Sequence, residues 1–257
     1  MPDLAIDTLT IGWLAVFALV MVFGGLVHGT LGLGFPVVTT PLLSLVLDVR
    51  SAILITLVPT VCVNLLSIAR GGRWEESIGR YWPLAGYALL GSLAGAELLV
   101  VSDPRPFKLV LALLVLLYLL VSGATRLRMP WPRTHFQLSM LGFGLVAGIS
   151  AGTTNVMVPI LIIYALELEV SRRATVQVFN LCFLAGKLSQ IGIFAVAGLL
   201  GGRLLLTTAP LALVAMAALL VGMAVRDRIP EATYRRIIRY LLAVFAVLLI
   251  VQFALSD

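Results

Sequence analysis

Residues 11–47 read IGWLAVFALVMVFGGLVHGTLGLGFPVVTTPLLSLVL, without one Asp, Glu, Lys or Arg. The first part, 11–28, is apolar on every side and close to the ~20 residues a helix needs to cross hydrocarbon. Gly29, Gly32, Gly34 and Pro36 then interrupt any helix. The run that follows, 36–47, is too short to span ~30 Å at 1.5 Å per residue. A membrane helix, a glycine-rich break and a half-helix are the elements this stretch predicts.

The rest of the chain agrees. Of 257 residues 61% are hydrophobic and 12% charged, and the mean hydropathy is +1.10. Soluble domains carry about 25% charged residues, so this composition belongs in a bilayer. Further apolar segments fall near 51–69, 81–101 and 107–125, then 137–151, 156–167, 173–198, 204–225 and 235–255. That makes ten, with 36–47 and 156–167 as half-helices. The fold class expected is an all-α polytopic membrane protein. Met1 to Thr10 holds Asp3 and Asp7 and no basic residue, so it lacks the positive start of a cleavable signal peptide. Cys62 and Cys182 both lie in apolar segments and suggest neither a disulfide framework nor a zinc site.

The net charge of +6 reflects topology rather than nucleic-acid binding. Thirteen basic residues occupy the gaps 70–80, 126–135, 168–173 and 226–239, against four elsewhere between segments: Arg50, Arg105, Lys108 and Arg203. If every segment reverses direction, all four Arg-rich gaps share one face. The positive-inside rule makes that face cytoplasmic and puts both termini outside.

Two stretches resemble each other across the chain. Leu84 to Gly95 matches Leu211 to Gly222 at an offset of 127, pairing Pro83 with Pro210. Gly29 to Leu42 resembles Gly148 to Leu161, pairing Pro41 with Pro159 at an offset of 118. Five segments per half give two inverted repeats, 1–125 and 137–257, joined by a cytoplasmic linker at 126–136.

The breaks are the expected site. A break at Gly32-Leu33-Gly34 and one at Gly152-Thr153-Thr154-Asn155 would free backbone N–H groups ahead of a half-helix, an arrangement suited to an anion. The other reading is close helix packing, which the spacings Gly25/Gly29, Gly91/Gly95, Gly144/Gly148 and Gly198/Gly202 favour for glycines outside the breaks. Lys187 is the sole basic residue deep in a segment, where a lysine costs roughly 2.5–3.5 kcal/mol and needs a cavity or counter-charge. Its partner is either an anionic ligand or, in a structural role, Glu97 or a carbonyl. Asn180 and Gln177 share its side of the helix, and Thr56, Thr60, Asn64 and Ser67 form a matching stripe earlier. Interhelical hydrogen bonding is the alternative for that stripe. His28, beside the first break, is a possible proton relay or a backbone partner. Gly148-Ile149-Ser150-Ala151-Gly152 fits a nucleophile-elbow pattern, but an apolar helix precedes it where that motif needs a strand.

These residues resemble the sulfite exporter TauE/SafE family, also known as the toluene sulfonate uptake permease family, over nearly the whole chain. The repeated pattern is carried by Gly25, Gly29, Gly32, Gly34, Pro41 and Leu42, and again by Gly144, Gly148, Gly152, Pro159 and Leu161. Family members often have a longer glycine run at the turn. The resemblance implies a carrier of the bacterial inner membrane, not an enzyme, that exports small sulfur oxyanions, sulfite first, without a cofactor or metal. Its partners would be a small anionic substrate, sulfite or an organosulfonate, and the lipid bilayer, with no nucleic acid. An ion-coupled importer of sulfonates or thiosulfate is the alternative, and an intramembrane enzyme or scaffold a distant one. The sequence carries no signal of oligomeric state.

Overall fold

The computed structural model describes residues 11–71, 78–121, 131–226 and 231–255, all helix and short connections. The expected linker is thus described only from Trp131 onward, and Arg73, Arg126, Arg128 and Arg228 of the basic gaps lie outside these residues, as does the start of the chain, 1–10. The first half holds α1 (Ile11–Leu31), α2 (Phe35–Ser44), α3 (Val49–Gly71), α4 (Arg80–Val101) and α5 (Arg105–Val121). A single turn, α6 (Trp131–Thr134), precedes α7 (Phe136–Thr154), α8 (Val158–Glu167), α9 (Arg172–Val196), α10 (Gly202–Val225) and α11 (Glu231–Ala254). The ten segments are all present. Among the described residues six helices, α1, α3, α4, α7, α9 and α10, are long and apolar enough to cross a membrane. The ten-residue α2 and α8 reach only ~15 Å each. Large apolar side chains such as Leu120, Val196 and Leu206 stand in the open around the outside, a surface that lipid covers and water does not tolerate.

Packing repeats between the halves. α1 lies along α10 and α7 along α4; α3 and α9 meet at the centre; α5 pairs with α11. Exchanging the halves maps this set of contacts onto itself. Close approach of glycines sets the register. A Cβ on Gly25 or Gly29 would come within 2.5 Å of the Ala215 or Leu219 carbonyl oxygen, and one on Gly148 or Gly152 within 2.6 Å of those of Ala88 or Ser92. Ala88 and Ala215 are 127 positions apart, as are Ser92 and Leu219, which agrees with the later sequence match. Gly25 and Gly148 are 123 apart, and so are the ends of α1 and α7 and both ends of α2 and α8.

The earlier match therefore shifts from 118 to 123. Pro41 sits inside α2, whereas Pro36 occupies its first turn, as Pro159 does in α8. Proline is tolerated in a first turn because the missing N–H would have no intrahelical partner there.

Candidate functional site

The first break lies between α1 and α2. Gly32 (φ 83°) and Gly34 (φ 107°) take left-handed conformations that side chains resist, which turns the chain sharply enough to start α2 with only residues 32–34 between it and α1. Gly32 N–H donates to the His28 carbonyl at 2.7 Å, and its own carbonyl accepts from Asn180 Nδ2 at 3.0 Å. His28 is buried and held from both sides. Its Nδ1 accepts from Phe35 N–H at 3.3 Å, which puts the proton on Nε2, 2.9 Å from Ser67 Oγ. The imidazole thus does for α2 what a capping side chain does elsewhere. The N–H groups of Leu33 and Gly34 have no partner among the described residues.

The second break begins later than the sequence suggests. Gly152, Thr153 and Thr154 continue α7, and only Asn155 (φ 66°) turns left-handed. The Thr153 hydroxyl donates to the carbonyls of Ile149 and Ser150, and that of Thr154 to Ser150 at 2.8 Å, bonds to the preceding turn that hide both hydroxyls within the helix. Asparagine tolerates the left-handed region and ends helices as glycine does. Gly152 is a packing residue against α4. The N–H groups without partners here are those of Val156 and Met157, 123 positions beyond Leu33 and Gly34. Asn155 Nδ2 reaches Thr40 Oγ1 at 2.9 Å and Thr56 Oγ1 at 3.3 Å. Each break is therefore held by side chains of the other half.

Lys187 is buried on α9, and its Nζ donates to Gln190 Oε1 at 2.6 Å. Gln190 in turn donates to the carbonyls of Ala151 and Gly152 at 2.9 and 3.3 Å. The ammonium is thereby tied to the turn before the second break. Glu97 is not its partner: Ser92 and Ala96 turn inward on α4, and Glu97, one residue beyond Ala96, is exposed. No carboxylate pairs with Lys187 among the described residues. Asn64, 123 positions before Lys187, occupies the equivalent place on α3. Both atoms of its buried amide lack a hydrogen-bond partner. An unsatisfied buried amide costs about 1–3 kcal/mol, so a ligand or water is the expected occupant. Asn180 Oδ1 is open as well, beside His28.

Sequence reasoning named Asn64, Asn180, Asn155 and Lys187 and missed how Gln190 and Thr40 connect them. For Gln190 a signal existed, since it lies three residues from Lys187 and so on the same helical face. Ser150 lies within the continuous α7, and its hydroxyl donates to the Val156 carbonyl.

Six apolar helices long enough to cross a bilayer, two interrupted hairpins and a buried lysine tied through Gln190 to the second of them define a multi-pass helical membrane transporter. The chain belongs to the family described as sulfite exporter TauE/SafE, whose model matches residues 17–249. Neither the curated proteins nor the solved structures contain a match.

Proposed function

We propose that the protein exports small sulfur oxyanions, sulfite foremost, from the cytoplasm across a bacterial inner membrane by alternating access. The observation that carries this reading is the Lys187 ammonium, buried, bonded to a neutral amide and unmatched by any described carboxylate. An anion supplies the missing charge. It would bind near the bilayer midplane between the breaks, with Lys187 on α9 and the Asn64 amide on the facing helix α3. The N–H groups of Leu33, Gly34, Val156 and Met157 would replace part of its hydration shell. Gly32, Gly152 and Asn155 shape the two turns, and Asn180 fixes the first. The Thr153 and Thr154 hydroxyls join only by releasing the carbonyls they now bond. The two repeats, 1–125 and 137–257, are inverted about the site in this reading, which the exchange symmetry of the packing supports.

Energetically, export needs no coupling ion. A membrane potential, negative inside, contributes ~2.3 kcal/mol per charge per 100 mV, so a divalent anion gains roughly 4.6 kcal/mol on leaving. Proton relay through His28 is not required. The test is sulfite flux in liposomes of purified protein under an imposed potential, with sulfate, thiosulfate and sulfoacetate as competitors. Flux that follows the potential without a proton or sodium gradient supports the exporter. Folded protein that moves sulfonate or thiosulfate inward only with such a gradient is an importer.

A further inference from the structure

A cavity of about 530 Å³ opens between the C-terminal ends of α1, α3 and α10 and the first turns of α9. Its walls include Gly29, Gly32, Ser67, Gln177, Arg70 and Arg226. The inner end therefore reaches the first break, where Ser67 bonds His28 and Gly32 bonds Asn180. At the outer end Arg70 and Arg226 are exposed, and neither makes an ion pair with a described residue. We propose that this vestibule is a loading site for a small oxyanion, held between Arg70 and Arg226 before it passes to the buried site, and that the corresponding volume in the other half is an apolar plug. The proposal deepens the transport reading and rests on it for the identity of the anion.

The repeat of the packing carries the argument. At the two offsets found above, the residues of the vestibule have equivalents on the opposite side of the bundle. Gly71, a wall of the cavity, corresponds to Phe194, and Arg70 to Ile193. Val176 and Gln177 correspond to Ile53 and Leu54, and Arg226 to Leu99. Phe194, Ile53, Leu54 and Leu99 are fully buried and belong to the core. A ring thus stands where Gly71 admits the polar Gln177 side chain, which lies within 2.4–2.8 Å of the place a Cβ would take. Arg50, the cation nearest that end, spends its guanidinium on the carbonyls of Leu99, Val100 and Ser102 at 2.6–3.1 Å. Another cavity among the described residues, beside Asp48, Arg105 and Lys108, lies where α2 and α11 end and α5 begins, away from both breaks. Three helix C-termini face the vestibule with partial negative charge, which repels anions. Two guanidinium groups reverse that sign and present planar donors matched to oxyanions.

The test reads local anion preference without requiring transport. Met223, in the wall of the cavity, is replaced by Cys in a background carrying Cys62→Ser and Cys182→Ala. Labelling rates are measured with the anionic 2-sulfonatoethyl and the cationic trimethylammonioethyl methanethiosulfonate. The anionic reagent should react faster in the parent, and the ratio should fall about tenfold in Arg70→Gln/Arg226→Gln, equivalent to ~1.4 kcal/mol. An unchanged ratio, or no labelling of Met223→Cys, overturns the loading site. Ile53→Cys should stay unlabelled from the opposite face; labelling as fast as Met223→Cys overturns the plug. Vesicles of zwitterionic and of anionic lipid should give the same ratio, whereas a preference abolished by anionic lipid assigns the arginines to lipid headgroups. In sulfite flux, the double variant should raise half-saturation about fivefold from the Arg-rich face alone, with the maximal rate kept. Absent sulfite flux in the parent refutes the substrate assignment, while the labelling ratio still decides the vestibule.

Discussion

Replacing Lys187 with Met separates a ligand-binding lysine from a structural one. Two opposing effects act on stability. A lysine in the hydrocarbon interior costs roughly 2.5–3.5 kcal/mol, which methionine of similar length removes. The Gln190 oxygen that accepts from Nζ at 2.6 Å then loses its partner, at about 1–3 kcal/mol. The net change lies between about −0.5 and +2.5 kcal/mol in favour of the variant, so thermal unfolding in detergent should stay level or rise. Transport should move the other way. A unit charge about 4 Å from an anion at an effective dielectric constant near 20 is worth ~4 kcal/mol, or roughly a thousandfold in binding. Polar groups in the cavity recover part of that, leaving an expected loss in sulfite flux of at least ~100-fold. Flux within threefold of the parent refutes the assignment of Lys187 to the substrate. A drop of about 3–5 kcal/mol in stability would instead reveal a broken buried ion pair and refute the missing counter-charge.

Asn64→Leu should leave stability equal or improved by ~1–2 kcal/mol, since it removes an unsatisfied amide, and should lower flux tenfold or more; equal flux with equal stability removes Asn64 from the site. His28→Ala strands the Phe35 N–H and should cost about 1–3 kcal/mol on unfolding, while the flux that remains keeps its dependence on potential and gains nothing from a pH gradient. Dependence on such a gradient in the parent that disappears in the variant would restore the proton relay. Gly148→Val places a Cβ 2.2 Å from the Ala88 carbonyl oxygen and should destabilise by 3 kcal/mol or more (roughly, for a clash with backbone), whereas Gly192→Ala, which meets nothing within 4 Å, should gain up to ~1 kcal/mol. Similar melting temperatures for the two would overturn the packing role of Gly148.

The helices were legible because hydropathy and length decide them in a bilayer, and the half-helices 36–47 and 156–167 fell within a few residues of α2 and α8. The face each helix turns inward was less so. In α4 apolar residues occur on every side, and nothing in the sequence tells that Glu97 points outward while Ser92 points in. The 127 register was visible since α4 and α10 match over twelve residues around a shared proline. The 123 register was hidden: a proline inside α2 drew the comparison to Pro41, and the true equivalence of Gly32 with Asn155 joins two residue types that share only tolerance of positive φ. The same substitution explains why the second break was placed too early. Gly152 looked like the breaking residue, and the Thr–Thr pair that carries the helix past it was not expected to do so.

The crossed ties at the breaks bear on how such a chain can be divided. Asn180 secures the turn at Gly32, and Thr40 with Thr56 secures the turn at Asn155. A gene cut between α5 and α6 would therefore yield two fragments whose turns each lack the ties supplied by the other half, and only their co-expression would restore function.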